Sequence, residues 1–276
     1  MILKDIENRF NFKIIKYPNG QIQLRYYQNP IILGVSKTEK NISNLISMKE
    51  IEEKHTRTVK ESVRRTLNTL QDLSRSNEWE WFLTFTFAKT KVDRYDYKQC
   101  MKKLSKWLNN IKTRHASSLQ YLIVPEQHKS GAWHFHGLLK GIPPNQLQIA
   151  INHNIHSKYY RTPLRTTYPD GKFIYNVTSY SLGWTTATRI EDTFRASNYI
   201  LKYVTKNVIA GTPNQRRYLC SKNLPRPTVI NDIISPMEWE EIMAKGRFQN
   251  KKVTYHTSWK VTSNDYENYI QLLELN

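Results

Sequence analysis

The sequence predicts an α+β protein: a central antiparallel sheet of four or five strands with flanking helices gathered on one side of it. Three observations carry that reading. Apolar or alternating runs of strand length recur at 81–87, 121–126, 132–139, 173–180 and 184–190. Stretches of helical period separate or follow them, at 48–73, 95–111 and 194–207. Between the second and third runs, Lys129-Ser130-Gly131 can turn the chain, so that at least this pair forms a hairpin.

Taken in order, residues 10–17 and 21–27 are β-rich and flank the turn Pro18-Asn19-Gly20, a hairpin without evident chemistry. Over 48–73 the spacing of Val59, Val63, Leu67 and Leu70 makes one face of a helix, with Lys60, Arg64 and Arg65 elsewhere. Arg64 and Arg65 line a solvated face or meet phosphates; the pattern allows both. Trp81–Phe87 is near-continuously hydrophobic, as suits a strand covered on both faces, and Thr84 and Thr86 point the same way. A helix over 95–111 then packs through Tyr97, Met101, Leu104, Leu108 and Ile111, with Lys98, Lys102, Lys103 and Lys106 mainly outside that stripe.

The hairpin that follows holds the densest chemistry. His134 and His136 are two apart, and in a strand a two-residue step returns both rings to one face. Glu126 lies on the preceding strand, so the hairpin brings a carboxylate across to two imidazoles. Two nitrogens and one oxygen around an open position suit a divalent ion that still accepts a phosphate oxygen. His128 shares the strand face of Glu126 and competes for the third place.

Residues 141–172 are rich in loop signals, and Lys140, Arg161, Arg165 and Lys172 spread positive charge around the edge of this site. This region embraces DNA or is an insertion of no consequence. In the helix over 194–207, Tyr199 and Tyr203 are four apart and share a face one turn from each other. Lys202 and Lys206 each follow a tyrosine by three. A basic loop with Arg216 and Arg217 comes next, then the capping-box start Ser235-Pro236-Met237-Glu238 with Gly246 as its stop, a strand over 253–261 and a short helix over 265–273.

At 276 residues the chain can bury one sizeable core with attachments, or two small domains. Its apolar runs are far shorter than the roughly 20 residues needed to span a bilayer. The residues after Met1 lack the basic-then-apolar order of a signal peptide, so a cytoplasmic protein in a bacterial host cell is expected. Cys100 and Cys220 are too few for a disulfide framework. Net charge is +19, and residues 81–206 hold nineteen Lys and Arg against six Asp and Glu. The excess therefore sits with the motifs and points to a polyanionic partner. Seventeen tyrosines and seven tryptophans supply flat rings on which unpaired bases can stack, although most of them belong to the core. No Gly-rich phosphate loop ending in Lys-Ser or Lys-Thr is present, so duplex unwinding must come from a partner.

The strand Trp81–Phe87, the His134-Phe135-His136 block and the Tyr199/Tyr203 helix, in that order, resemble the His-hydrophobe-His (HUH) endonucleases, specifically the rolling-circle replication initiators (Rep proteins) of small plasmids and phages. The resemblance covers residues 80–225. It implies a ferredoxin-like, RRM-like core over 79–225, with 1–78 and 226–276 as accessory segments. It implies a divalent metal, Mn²⁺ or Mg²⁺, on Glu126, His134 and His136, with His128 as the alternative third ligand. It also implies tyrosine attack by Tyr199 or Tyr203 on single-stranded origin DNA, aided by Lys202 and Lys206. The products would be a 5′-phosphotyrosine and a 3′-hydroxyl that a host polymerase extends, with a host helicase opening the duplex. A relaxase or transposase shares this chemistry, and an origin-binding or autoregulatory protein could keep the fold without cleaving.

Overall fold

The computed structural model describes residues 9–33, 48–154, 157, 159–166, 171–208, 216–263 and 266–276. Residues 1–8, read above for a signal peptide, lie outside the described residues, as does most of the turn at Pro169-Asp170-Gly171. The chain divides into two compact units, Met1–Lys54 with Pro225–Asn276, and His55–Leu224.

The expected α+β architecture does not hold. The chain is mostly β, with two antiparallel sheets of six and seven strands and four α-helices among the described residues. The difference comes from strands that carry too little periodicity to be read. In unit His55–Leu224 the sheet order is β6 (Leu147–Ile149), β7 (Tyr175–Val177), β8 (Gly183–Arg189), β3 (Trp81–Phe87), β5 (Trp133–Lys140), β4 (Gln120–Gln127), β9 (Leu219–Cys220). Three of these have three residues or fewer, below the length at which alternation can be recognised.

Helices cover both faces of this sheet rather than one. On one face α2 (Tyr97–Arg114) lays Cys100, Met101, Leu104, Trp107, Leu108 and Ile111 against Leu83, Phe85, Phe87 and Phe135. Phe85, Phe87 and Phe135 are wholly buried, worth roughly 1.5–3 kcal/mol each. Asp96 starts α2 by accepting a hydrogen bond from the Gln99 amide. On the other face the C-terminal part of α1 (Met48–Arg75) and α3 (Thr193–Val208) meet Leu122, Val124 and Leu138 through Leu70, Leu73 and Ile200. Ser197 is buried with its Oγ 3.0 Å from the Ser74 carbonyl and 2.7 Å from that of Thr193, which ties α3 to the end of α1.

Two glycines permit close approach. At Gly137 an added Cβ would stand 2.8 Å from side-chain atoms of both Ile123 and Leu139, and at Gly183 it would stand 2.1 Å from the Thr86 carbonyl oxygen.

In the other unit the order is β10 (Thr228–Asp232), β1 (Arg9–Lys16), β2 (Ile22–Ile32), β13 (Tyr266–Leu275), β12 (Lys251–Ser263), β11 (Arg247–Phe248). The short helix expected over 265–273 is instead part of β13. Its Leu272, Leu273 and Leu275 suit either conformation, and pairing with β2 on one side and β12 on the other decides it. α4 (Pro236–Lys245) has the expected capping box at Ser235 and ends at Gly246, whose φ of 58° is the left-handed cap. Trp239 of α4 stacks on Tyr26 at 5.1 Å and seals the core with Phe12, Leu24 and Leu273.

Candidate active site

The site is a row of cross-strand pairs on the α3 face of the seven-stranded sheet. Thr84 and Thr86 of β3 stand opposite His136 and His134 of β5, and Glu126 of β4 stands opposite His134. Cross-strand partners project to the same face, so all five side chains share it. The hairpin that fixes this register closes at Gly131, whose φ of 83° favours glycine.

Each imidazole is held from behind. Thr84 Oγ1 is 3.1 Å from His136 Nδ1 and Thr86 Oγ1 is 3.2 Å from His134 Nδ1, leaving Nε2 of each ring as the forward atom. Glu126 Oε2 lies 2.7 Å from His136 Nε2, in a pocket where His136 is 6% exposed. Burial first, and then the neighbouring His128 and Arg94, hold His134 below the usual imidazole range against the opposing pull of Glu126. Its neutral form, the one with a lone pair to offer, is therefore favoured.

Helix α3 brings the tyrosines onto this row. The Tyr203 ring stacks on His136 with centroids 3.7 Å apart and planes 17° from parallel. Tyr203 donates a 2.7 Å hydrogen bond to the Tyr199 hydroxyl, and Tyr199 stands edge-on to Phe82 at 5.2 Å. Burial, followed by the bond to Tyr199 and the charge of Glu126, pushes the Tyr203 phenol well above its ordinary value. Tyr199 is 46% exposed, with Lys202 Nζ 5.6 Å from its ring centroid. Lys206 lies within α3, but its side chain is outside the described residues.

The remaining sequence candidates scatter. His128 comes within 5.7 Å of the His134 ring, beyond the end of β4, with its Nδ1 3.2 Å from Ser130 Oγ. Arg64 and Arg65 are exposed on α1. Lys140 pairs with Glu78 at 3.0 Å and Lys172 with Glu191 at 2.5 Å. Arg165 donates to the Gly171 carbonyl and lies over the Phe173 ring, and Arg161 stands by Tyr160. Arg217 reaches Ser62 and Thr66 of α1, while Arg216 is exposed nearby and its carbonyl accepts from Tyr97.

Arg94 does not stand out in the sequence, where it is one cation among many in a loop. The structure sets it near His134, with its carbonyl bonded to the Trp133 amide and its Nε buried without a hydrogen-bond partner among the described residues.

Among the described residues no group of three or more His, Cys, Asp or Glu is arranged as a ready metal cage. Glu126 instead closes on His136. The donor set of two imidazoles and a carboxylate nonetheless fits a divalent ion of the Mn²⁺ or Mg²⁺ kind, since both Nδ1 atoms are already engaged by threonines. No helix among the described residues is long and apolar enough to cross a membrane.

No curated protein and no solved structure matches the chain. Residues 80–208, which contain the whole row from Phe82 to Tyr203, match the model of a family of replication-associated proteins of the ORF2 type, so this part of the chain is similar to proteins of DNA replication.

Proposed function

We propose that the protein initiates rolling-circle replication as an HUH endonuclease, nicking one DNA strand at an origin and holding the 5′ end covalently on a tyrosine. The observation that carries this reading is the packing of two phenols directly against the His136–Glu126 pair, on a row otherwise built from Thr84, Thr86 and His134. A core helix could bury two tyrosines anywhere. Here one ring covers the imidazole and the other phenol stays open to solvent.

Tyr199 is the phenol in reach of DNA. Its oxygen attacks the phosphorus of the scissile phosphodiester, the bond to the 3′-oxygen breaks, and that oxygen leaves as a 3′-hydroxyl after taking up a proton. The phenolic proton goes to solvent, and the hydrogen bond donated by Tyr203 steadies the charge that develops on the Tyr199 oxygen. Lys202, beside the same ring, adds a cation to the phosphate's surroundings. Because the phosphodiester is exchanged rather than hydrolysed, a 3′-hydroxyl can reverse the step and reseal the strand. Glu126, His134 and His136 would hold the divalent ion, which when bound draws charge from a non-bridging oxygen of the phosphate. Residues 79–225 carry this chemistry in our reading, with 1–78 and 226–276 accessory, a host helicase unwinding and a host polymerase extending the 3′-hydroxyl.

The test is covalent capture. Single-stranded origin DNA labelled 3′ of the nick is incubated with the protein and Mn²⁺, and run on a denaturing gel. A shifted band that maps to Tyr199 is expected, lost in Tyr199→Phe/Tyr203→Phe and in His134→Ala/His136→Ala. An adduct that persists in the double tyrosine variant would refute the assignment. Tight binding with no adduct under any metal would favour a non-cleaving origin-binding protein.

A further inference from the structure

Beside the row of Thr84, Thr86, His134 and His136 the same sheet face continues onto β8, and there it is bare. Trp184 stands opposite Thr86, and Thr186 opposite Thr84. Since Thr86 reaches His134 on this face, Trp184 projects to the same side, two strand spacings or roughly 10 Å from the His134 position. Helix α3 packs over β4 and β5, at the other end of the row. Trp184 is 64% exposed, Thr186 is exposed beside it, and among the described residues no ring or hydrogen-bond partner occupies the indole.

Tryptophan is among the more buried residue types, and its neighbours show what this strand needs for folding alone. Thr185 and Ala187, pointing the opposite way, are buried, while the outward positions 186 and 188 are threonines. A threonine at 184 would complete that row. The indole adds nothing to the core, so its flat face is available to a ligand.

We propose that Trp184 is a stacking platform for a nucleobase of the single DNA strand, next to the phosphate that lies over the histidines. This deepens the function proposed above and rests on it. Charge selects the occupant: residues 81–206 carry a net +13, which favours a polyanion over a protein apolar patch. The sheet surface around the indole is polar, with Thr186 exposed and Thr188 partly so. A ring on a polar, cationic surface suits the alternation of base and phosphate along an unpaired strand.

The experiment uses the full chain with Trp184→Thr, which keeps β-propensity, and Trp184→Phe, which keeps an aromatic face. Fluorescence anisotropy measures binding to an end-labelled oligo(dT) and to an abasic oligonucleotide of the same length. Stacking on one base predicts that Trp184→Thr weakens oligo(dT) binding roughly 5- to 150-fold. Trp184→Phe should recover most of that loss, and neither variant should change binding to the abasic strand. Equal oligo(dT) affinity for Trp184→Thr and the parent would overturn the proposal. So would an equal loss on both strands, which would mark a general disturbance of the surface. If the parent protein binds neither strand, the proposed function itself fails, and that result is distinct from either of the others.

Discussion

Replacing Thr84 by valine keeps the shape of the side chain and removes one hydroxyl, the one 3.1 Å from His136 Nδ1. His136 is 6% exposed, so water has little access to a nitrogen that loses its partner. Leaving such a group unsatisfied costs about 1–3 kcal/mol. The hydroxyl has a second property that valine lacks. While Glu126 accepts from His136 Nε2, a neutral ring carries its proton there and Nδ1 accepts from threonine. When Nε2 turns its lone pair to a metal, the proton moves to Nδ1 and threonine becomes the acceptor. One hydroxyl serves both tautomers.

Thr84→Val should therefore lower stability in urea unfolding by about 1–3 kcal/mol and weaken Mn²⁺ binding, measured by calorimetry, by roughly 10- to 100-fold. Thr84→Ser should restore most of both. Thr86→Val, next to the more accessible His134, should cost less in stability. If Thr84→Val is as stable as the parent and binds Mn²⁺ equally well, the threonine does not hold the imidazole and the argument fails.

Gly183→Ala should prevent normal pairing of β8 with β3, because the new Cβ meets backbone at 2.1 and 2.6 Å; overpacking of this kind costs about 1–3 kcal/mol or more. Loss of expression or a markedly lowered unfolding midpoint is expected, and a parent-like melting curve would contradict it. Cys100 should resist a thiol reagent such as DTNB at pH 8 until the protein unfolds, since burial, then Asp96 and Asp93, push its thiol up to about 12. The partly exposed Cys220 should react first, and release of two equivalents at one rate would refute this. Glu238 is held below its ordinary value by the amide and hydroxyl of Ser235, so its contribution is present above about pH 4.5 and fades as pH falls through the lower folded value. Glu238→Gln should accordingly lower the melting temperature at pH 7 and match the parent in strong acid, and a gap that widens on acidification would reverse the sign.

The sequence is most readable where a motif and its register are local. His134 and His136 alternate within one strand, a three-residue turn sets Glu126 against them, and Tyr199 and Tyr203 are one helical turn apart. What it hides depends on partners far along the chain. Lys140 and Lys172 read as cations free for DNA, yet they pair with Glu78 and Glu191, 62 and 19 residues away. Arg217 is committed to hydroxyls on α1. Trp184 looks like one more strand residue, because a single sequence does not say which face of β8 is covered. The second sheet is invisible for the same reason: β12 mixes polar and apolar residues without clean alternation, and only its pairing partners hold it extended.

That second sheet also dictates an order of events on the ribosome. β2 lies between β1 and β13, so one of its edges is matched early by the hairpin while the other must wait until residues 266–275 have been synthesised. At 5–20 residues per second the interval is roughly 10 to 50 s. Throughout it the nascent hairpin presents Ile22 and Leu24 with unsatisfied backbone groups along an open edge. The unit His55–Leu224 has its full sequence before the edge is closed. The hairpin's edge is therefore the segment of the growing chain that most needs a chaperone, and crowded translation is where this protein is most exposed to pairing with a neighbour's strand instead of its own.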